Sequence, residues 1–261
     1  MEAKEYFNIG YEKQQKERFK EAIEDYNKVL ELDKDFERAI VQKAYCKYRL
    51  EDYEGALIDF KSAMRLNPND SITFLNAGYT AYKLNIDTDT ISFLNKAIEL
   101  DSNMAEAYFL RGTFYCNKKY YHQAIKNFTK AIDLNFSVVG SYSMRASCYS
   151  KLENYFENAI ADYKLLIKLD PQKESYYYHL AYIYFSMGKY ANALSYCNMA
   201  INLSKDCSSN YFVRGLTYQM LNRYNEALLD FEKALELDSK CGADEYIKNC
   251  KRKLTLKLIK S

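Results

Sequence analysis

The side chains best equipped for chemistry in this chain are two histidines, His122 and His179, and seven cysteines. An imidazole serves as a general base or metal ligand, and a thiolate as a nucleophile or zinc ligand, when partners stand at defined short spacings. Those spacings are missing. Neither His122, at a loop-to-helix junction, nor His179 has a cysteine or carboxylate around it at metal-ligand spacing. The cysteines are odd in number and show no paired spacing. Cys46, Cys116, Cys148 and Cys197 fall inside helical pattern, where a thiol behaves as a small buried hydrophobe. Cys207 and Cys241 close successive repeats, and Cys250 follows on a last helix. A chain with this much core material needs no disulfide framework, so reduced thiols are expected. No glycine-rich phosphate loop, nucleophile elbow or His-Glu-x-x-His string appears. Acidic pairs such as Glu31 and Asp33 recur at each repeat end and read as solvated helix termini. The expectation is no enzyme, no metal and no cofactor.

What remains is aromatic surface, and its placement is periodic. The chain has 27 Tyr and 14 Phe in 261 residues, against 2 Pro and 8 Gly, which leaves little turn chemistry for a β fold and favours helices. In the segment from Ala107 to Tyr115, Tyr108, Gly112 and Tyr115 share one helical face; from Tyr121 to Leu134, Ala124, Phe128 and Ala131 do the same. Small residues let two helix axes approach to roughly 8–10 Å while aromatics fill the flanking grooves. The pattern repeats in units beginning at Ala3, Glu37, Ser71, Ala105, Val139, Glu174 and Ser208. Their fourth residues are Tyr6, Ile40, Phe74, Tyr108, Tyr142, Tyr177 and Tyr211, and their eighth are Gly10, Ala44, Gly78, Gly112, Ala146, Ala181 and Gly215. One such hairpin cannot bury its own apolar faces and must stack on a neighbour. The fold predicted is all-α, a right-handed superhelical solenoid of seven helix-turn-helix units.

The register resembles the tetratricopeptide repeat (TPR) family over about residues 3–241. Tyr, Phe or Ile stands where the family usually has Trp, and the proline expected after the second helix persists as Pro68 and Pro171. On this reading residues 1–261 form a single solenoid domain with repeats 3–36, 37–70, 71–104, 105–138, 139–173, 174–207 and 208–241. Two repeats are irregular. The third has Asp87 in place of an aromatic and Thr90 in place of Ala, and its turn is expected to be anchored by capping side chains. The fifth carries an extra residue in Tyr155-Phe156-Glu157-Asn158-Ala159, read as a local change of curvature. Residues 242–261 are out of register and read as a capping helix. Ile247, Cys250, Leu254 and Leu258 line its apolar face, and Lys248, Lys251, Arg252, Lys253, Lys257 and Lys260 its basic one. The basic face also suits an acidic membrane surface or a partner.

A second stripe on the first helices lies one residue beyond the core stripe. It runs Phe7, Tyr11, Gln14; Val41, Tyr45, Tyr48; Leu75, Tyr79, Tyr82; Phe109, Thr113, Cys116. It turns polar at Ser143, Ser147, Ser150, then resumes as Tyr178, Tyr182, Phe185 and Phe212, Leu216, Gln219. In proteins that this chain resembles, such a stripe lines a concave groove that takes partner peptides or helices. The expected role is therefore a protein-interaction scaffold. Its groove residues are Phe7, Tyr11, Val41, Tyr45, Tyr48, Leu75, Tyr79, Tyr82, Phe109, Tyr178, Tyr182, Phe185 and Phe212, in two stretches parted by the serine notch. Some of these side chains also touch the neighbouring repeat. One subgroup of the family grips the carboxylate of chaperone tails with basic and amide side chains. Phe7, Tyr11, Gln42, Ile72 and Asn76 occupy the corresponding places here, so that clamp is absent. The alternative is a nucleic-acid-binding solenoid that stacks bases on the tyrosines. It would need a basic groove, which Lys4 and Arg38 alone do not make, and the net charge of +2 gives no reason to expect a polyanion. No apolar run approaches the roughly 20 residues of a membrane span, and the Met1-Glu2-Ala3-Lys4-Glu5 start lacks a signal-peptide core. The chain reads as cytoplasmic and unprocessed.

Overall fold

The computed structural model describes residues 2–260, with side chains through residue 256. Among the described residues there are fifteen α-helices, one 3-10 turn and no strand. The chain divides into two compact units, Met1–Ser137 and Val138–Ser261.

The first unit comprises α1 (Ala3–Gln15), α2 (Phe19–Leu32), α3 (Glu37–Arg49), α4 (Tyr53–Leu66), α5 (Ser71–Lys83), α6 (Asp87–Leu100), α7 (Ala105–Asn117) and α8 (Tyr121–Asp133). Each odd-numbered helix packs on its successor as a hairpin, and the hairpins stack in chain order. A bulky residue of each second helix makes the hairpin contact. Tyr26, Phe60, Leu94 and Phe128 are all at or near zero exposure. Phe128 lies directly on the α7 backbone, since a Cβ on Gly112 would sit 2.9 Å from its Cε1 atom. The ring and the missing side chain are one feature.

Every first helix here ends the same way. Glu17, Glu51, Asn85 and Lys119 adopt left-handed backbone, with φ of 57°, 63°, 57° and 64°. The next residue's N–H then reaches back five residues, as Arg18 does to the Lys13 carbonyl (2.9 Å) and Tyr120 to that of Tyr115 (2.8 Å). This closes each helix end and reverses the chain within three residues.

The second unit comprises α9 (Val138–Tyr149), the 3-10 turn Glu153–Tyr155, α10 (Phe156–Leu169), α11 (Glu174–Ser186), α12 (Tyr190–Leu203), α13 (Ser208–Met220), α14 (Tyr224–Leu237) and α15 (Asp244–Lys260). Tyr163 and Phe231 repeat the hairpin contact. Gly188 (φ 71°) and Asn222 (φ 58°) repeat the left-handed turn. Helix α15 packs on α14, with Ala243 and Cys250 buried beside Phe231 and Tyr246 at 5.2 Å from the Phe231 ring. The side chains of Lys257, Leu258 and Lys260 lie outside those described. Within each unit the stacked hairpins make an all-α helical solenoid.

The two irregular repeats differ locally from the others. The turn before α6 has no side-chain cap: Ile86 is the N-cap residue. Asp87 instead pairs with Lys118 at 2.5 Å and Asp89 with Lys61 at 2.7 Å, so lysines of neighbouring hairpins take up the acids. Thr90 donates to the Ile86 carbonyl (2.8 Å) and so fills the place of Ala without a buried unpaired hydroxyl. In the fifth hairpin the extra residue becomes the 3-10 turn at Glu153–Tyr155, in place of the three-residue reversal used elsewhere. Tyr155 stacks there on Tyr149 at 5.6 Å and 18°.

Candidate functional site

The stripe residues divide by their place along the first helices. Those nearest the N-terminus pack into the seams, three of them buried. Phe7, Val41 and Leu75 are 7%, 8% and 5% exposed. Phe7 stacks on Phe36 (5.3 Å) and packs on Tyr26 (5.7 Å), where α1 meets α2 and the following turn. Phe109 is held between Phe128 (5.7 Å) and Phe136 (5.6 Å), and Phe212 between Phe231 (5.6 Å) and Tyr246 (5.2 Å). A ring at this position closes the seam to the next hairpin. Phe7, Val41 and Leu75, expected to line a groove, are thus buried in the seam between hairpins, whereas Phe109 and Phe212 pack on that seam and stay half-buried.

One and two turns further along, the stripe opens. In the first unit Tyr11 is 45% exposed, and Tyr45, Tyr48, Tyr79 and Tyr82 are half-buried. They line three successive cavities. Tyr11, Gln14, Gln42, Tyr45 and Arg49 border one of about 370 Å³. Tyr45, Tyr48, Phe60, Asn76 and Tyr79 enclose a second, mostly apolar, of about 230 Å³. Tyr82 contributes to a third of about 300 Å³ with Phe114, Asn117 and Lys118. Tyr45 belongs to the first two cavities, so they adjoin. Burial raises the phenol pKa of Tyr48 and of Tyr79, which keeps both hydroxyls as neutral donors.

Polar groups fix this aromatic lining. Gln14 sits at the base of the first cavity, 8% exposed. Its amide donates to Gln42 Oε1 (2.8 Å), and its Oε1 accepts from the Tyr26 hydroxyl (2.7 Å). Arg49 donates to the Tyr45 hydroxyl (3.0 Å) and to Glu17 (3.2 Å) and lies 4.7 Å from the Phe19 ring centroid. The Tyr82 hydroxyl accepts from Asn117. Aromatic faces alternate here with Gln and Asn amides. Such a lining offers flat apolar contact together with partners for main-chain amides.

In the second unit α11 presents Tyr182, 46% exposed, with Tyr178 and Phe185 half-buried. Tyr178 packs edge-on against His179 (5.3 Å) and against the cluster of Ala181, Cys197 and Val213. Ser143 and Ser147 on α9, and Ser150 just after it, are half-buried.

The groups with chemical potential are placed apart. His179 stacks on Tyr163 at 5.0 Å and 18°; burial, aided by Lys151, holds its imidazole below the ordinary 6.5. Burial pushes the thiols of Cys46 and Cys197 up to about 12, far from the thiolate that a nucleophile needs. Among the described residues no cluster of His, Cys, Asp or Glu could hold a metal ion, and no helix is long and apolar enough to cross a membrane.

Residues 3–36, 37–70, 105–137 and 172–240 match family models described as tetratricopeptide repeat, and residues 153–188 match one described as TPR repeat. No curated protein sequence matches. Several solved structures share the fold. The C-terminal part of a TPR repeat-containing protein from Cytophaga hutchinsonii superposes with a TM-score of 0.76 at 18% identity, over 90% of this chain and 96% of that one. A tetratricopeptide repeat protein from Parabacteroides merdae gives 0.64 at 20%, over 96% and 98%. YrrB, a TPR protein with an unusual peptide-binding site, gives 0.63 at 22%, over 73% and 97%. At these identities the likeness speaks for the fold alone.

Proposed function

The chain belongs to the tetratricopeptide repeat family, and on that premise we propose that it is a protein-interaction scaffold with no reaction of its own. In this reading the cavities on α1, α3 and α5 receive an extended or helical segment of a partner protein. The observation that carries it is the cavity of about 230 Å³ lined by Tyr45, Tyr48, Phe60, Asn76 and Tyr79. Tyrosines that only sealed a seam would be covered, as Phe7 and Leu75 are; these keep open surface beside amide groups. That YrrB has a peptide-binding site on the same fold supports the class of ligand.

Tyr182 with Tyr178 and Phe185 forms a second aromatic stretch, proposed to contact a partner on its own. The lining suits a segment with an apolar or aromatic anchor and free main-chain amides. It does not suit a chaperone's terminal carboxylate, since Phe7, Tyr11 and Gln42 stand in the clamp's places.

The test is selection of peptides from a displayed library on the intact protein, followed by titration against wild type and Tyr45→Ser/Tyr79→Ser. Selected peptides are expected to lose affinity by roughly ten- to hundredfold in the variant, the range for removing central aromatic anchors. An unchanged affinity at unchanged helicity overturns the reading. Binding that instead weakens steeply with salt points to a nucleic-acid ligand.

A further inference from the structure

A second feature lies away from the tyrosine cavities and concerns a charge without a counterion. Several hairpins carry a basic residue on the first helix and an acid facing it from the second. Arg214 makes two hydrogen bonds of 2.7 Å to Asp230, and Arg145 makes two of 2.9 Å to Asp162. Lys47 pairs with Asp59 at 2.6 Å, with Lys43 on the same carboxylate, and Lys13 pairs with Asp25. In the fourth hairpin the basic residue is Arg111, and the facing residue is Asn127.

Arg111 Nε donates to Asn127 Oδ1 (2.8 Å), and one Nη donates to Asn95 Oδ1 (2.6 Å). Asn127 is turned this way because its own amide donates to the Gln123 carbonyl (2.8 Å). Both acceptors are neutral. Among the described residues no carboxylate pairs with Arg111, and burial lowers its pKa, whereas the facing aspartates raise those of Arg145 and Arg214. A guanidinium partly removed from water and left without a counterion is costly, and an anion brought to it is correspondingly well held.

The surroundings continue the theme. Arg111 opens into a cavity of about 430 Å³ lined also by Tyr108, Lys126, Asn127, Lys130 and Asp133. Neither Lys126 nor Lys130 has an ion pair among the described residues, and both reach solvent. Three cations face one carboxylate, a surplus of two positive charges. A phosphate monoester carries about −1.5 to −2 at pH 7 and offers three acceptor oxygens, matching that surplus and the spare guanidinium donors. We propose that this cavity on the α7–α8 hairpin binds a phosphate dianion, supplied either as free phosphate or as a phosphorylated side chain of a partner.

The test is calorimetric titration of the full chain at pH 7.5 and fixed ionic strength. The probes are inorganic phosphate, a short phosphoserine peptide, its unphosphorylated form, and acetate. Wild type is expected to bind the phosphate probes saturably and the other two not at all. Tighter binding of the phosphopeptide than of inorganic phosphate assigns the source to a modified partner, and equal or weaker binding assigns it to the free ion. Asn127→Asp supplies the counterion found in four of the other hairpins. It is expected to weaken phosphate by roughly ten- to hundredfold, the worth of a lost charge-assisted bond, and to raise the melting midpoint in phosphate-free buffer. Lys126→Ala/Lys130→Ala, altered on the solvent side, is expected to lose binding with the fold intact. Absence of saturable binding in wild type, or full binding by Asn127→Asp, overturns the proposal.

Discussion

Asn210 on α13 is 1% exposed, and neither its side-chain nitrogen nor its oxygen finds a hydrogen-bond partner. The same place in the six earlier hairpins holds Glu5, Ala39, Thr73, Ala107, Ser141 and Tyr176, small in four of them. An unpaired buried amide costs about 1–3 kcal/mol. Asn210→Ala is therefore expected to raise unfolding stability by about 1 kcal/mol after a small cavity term, read from the urea midpoint; a loss would show the amide to be satisfied. His179 gives a pH dependence. Its imidazole titrates lower in the fold than in the unfolded chain, because burial beside Tyr163 disfavours the charged form. The contribution is complete above the ordinary 6.5 and is lost as pH falls below it, where the unfolded chain takes up a proton that the native one refuses. Stability is thus expected to drop between pH 7.5 and 5.5, and His179→Phe to flatten that drop. An equal slope in the variant would place the titration elsewhere.

At the scale of elements, the helices were legible because period and residue size agree: a small residue on one helix faces Phe128 or its counterpart on the next. The turns were less legible. The left-handed position after six of the seven first helices is filled by Glu17, Glu51, Asn85, Lys119, Gly188 and Asn222, so residue type hides a conformation that the backbone repeats. A non-glycine residue there costs roughly 1 kcal/mol. Lys119→Gly is expected to stabilise the protein by about that amount in chemical denaturation, and no gain would mean that the lysine side chain compensates. The basic–acidic pairs across hairpins were present in the sequence as a spacing of sixteen residues, as in Arg214 and Asp230, but a reading centred on apolar periodicity passes over polar positions. The stripe was half legible. Spacing alone places Phe7 and Tyr11 on one face, while only packing shows that Phe7 closes the seam and Tyr11 stays open.

At the scale of the molecule, the chain spends its aromatic residues in two ways. Rings deep in the hairpins hold the solenoid together, and tyrosines one turn along leave lined cavities on the first unit. The proposed binding would use a preformed lining, since Gln14, Arg49 and Asn117 already hold its tyrosines in place. The most direct test is to measure the affinity of a library-selected peptide for wild type, Tyr45→Ser/Tyr79→Ser, and Ile58→Ser/Leu229→Ser. The last pair is exposed on second helices, at 65% and 67%. Loss of roughly tenfold or more in the tyrosine variant alone, with unchanged helicity in all three, is the predicted result. Equal affinity for wild type and the tyrosine variant, or loss confined to the second-helix variant, would contradict it.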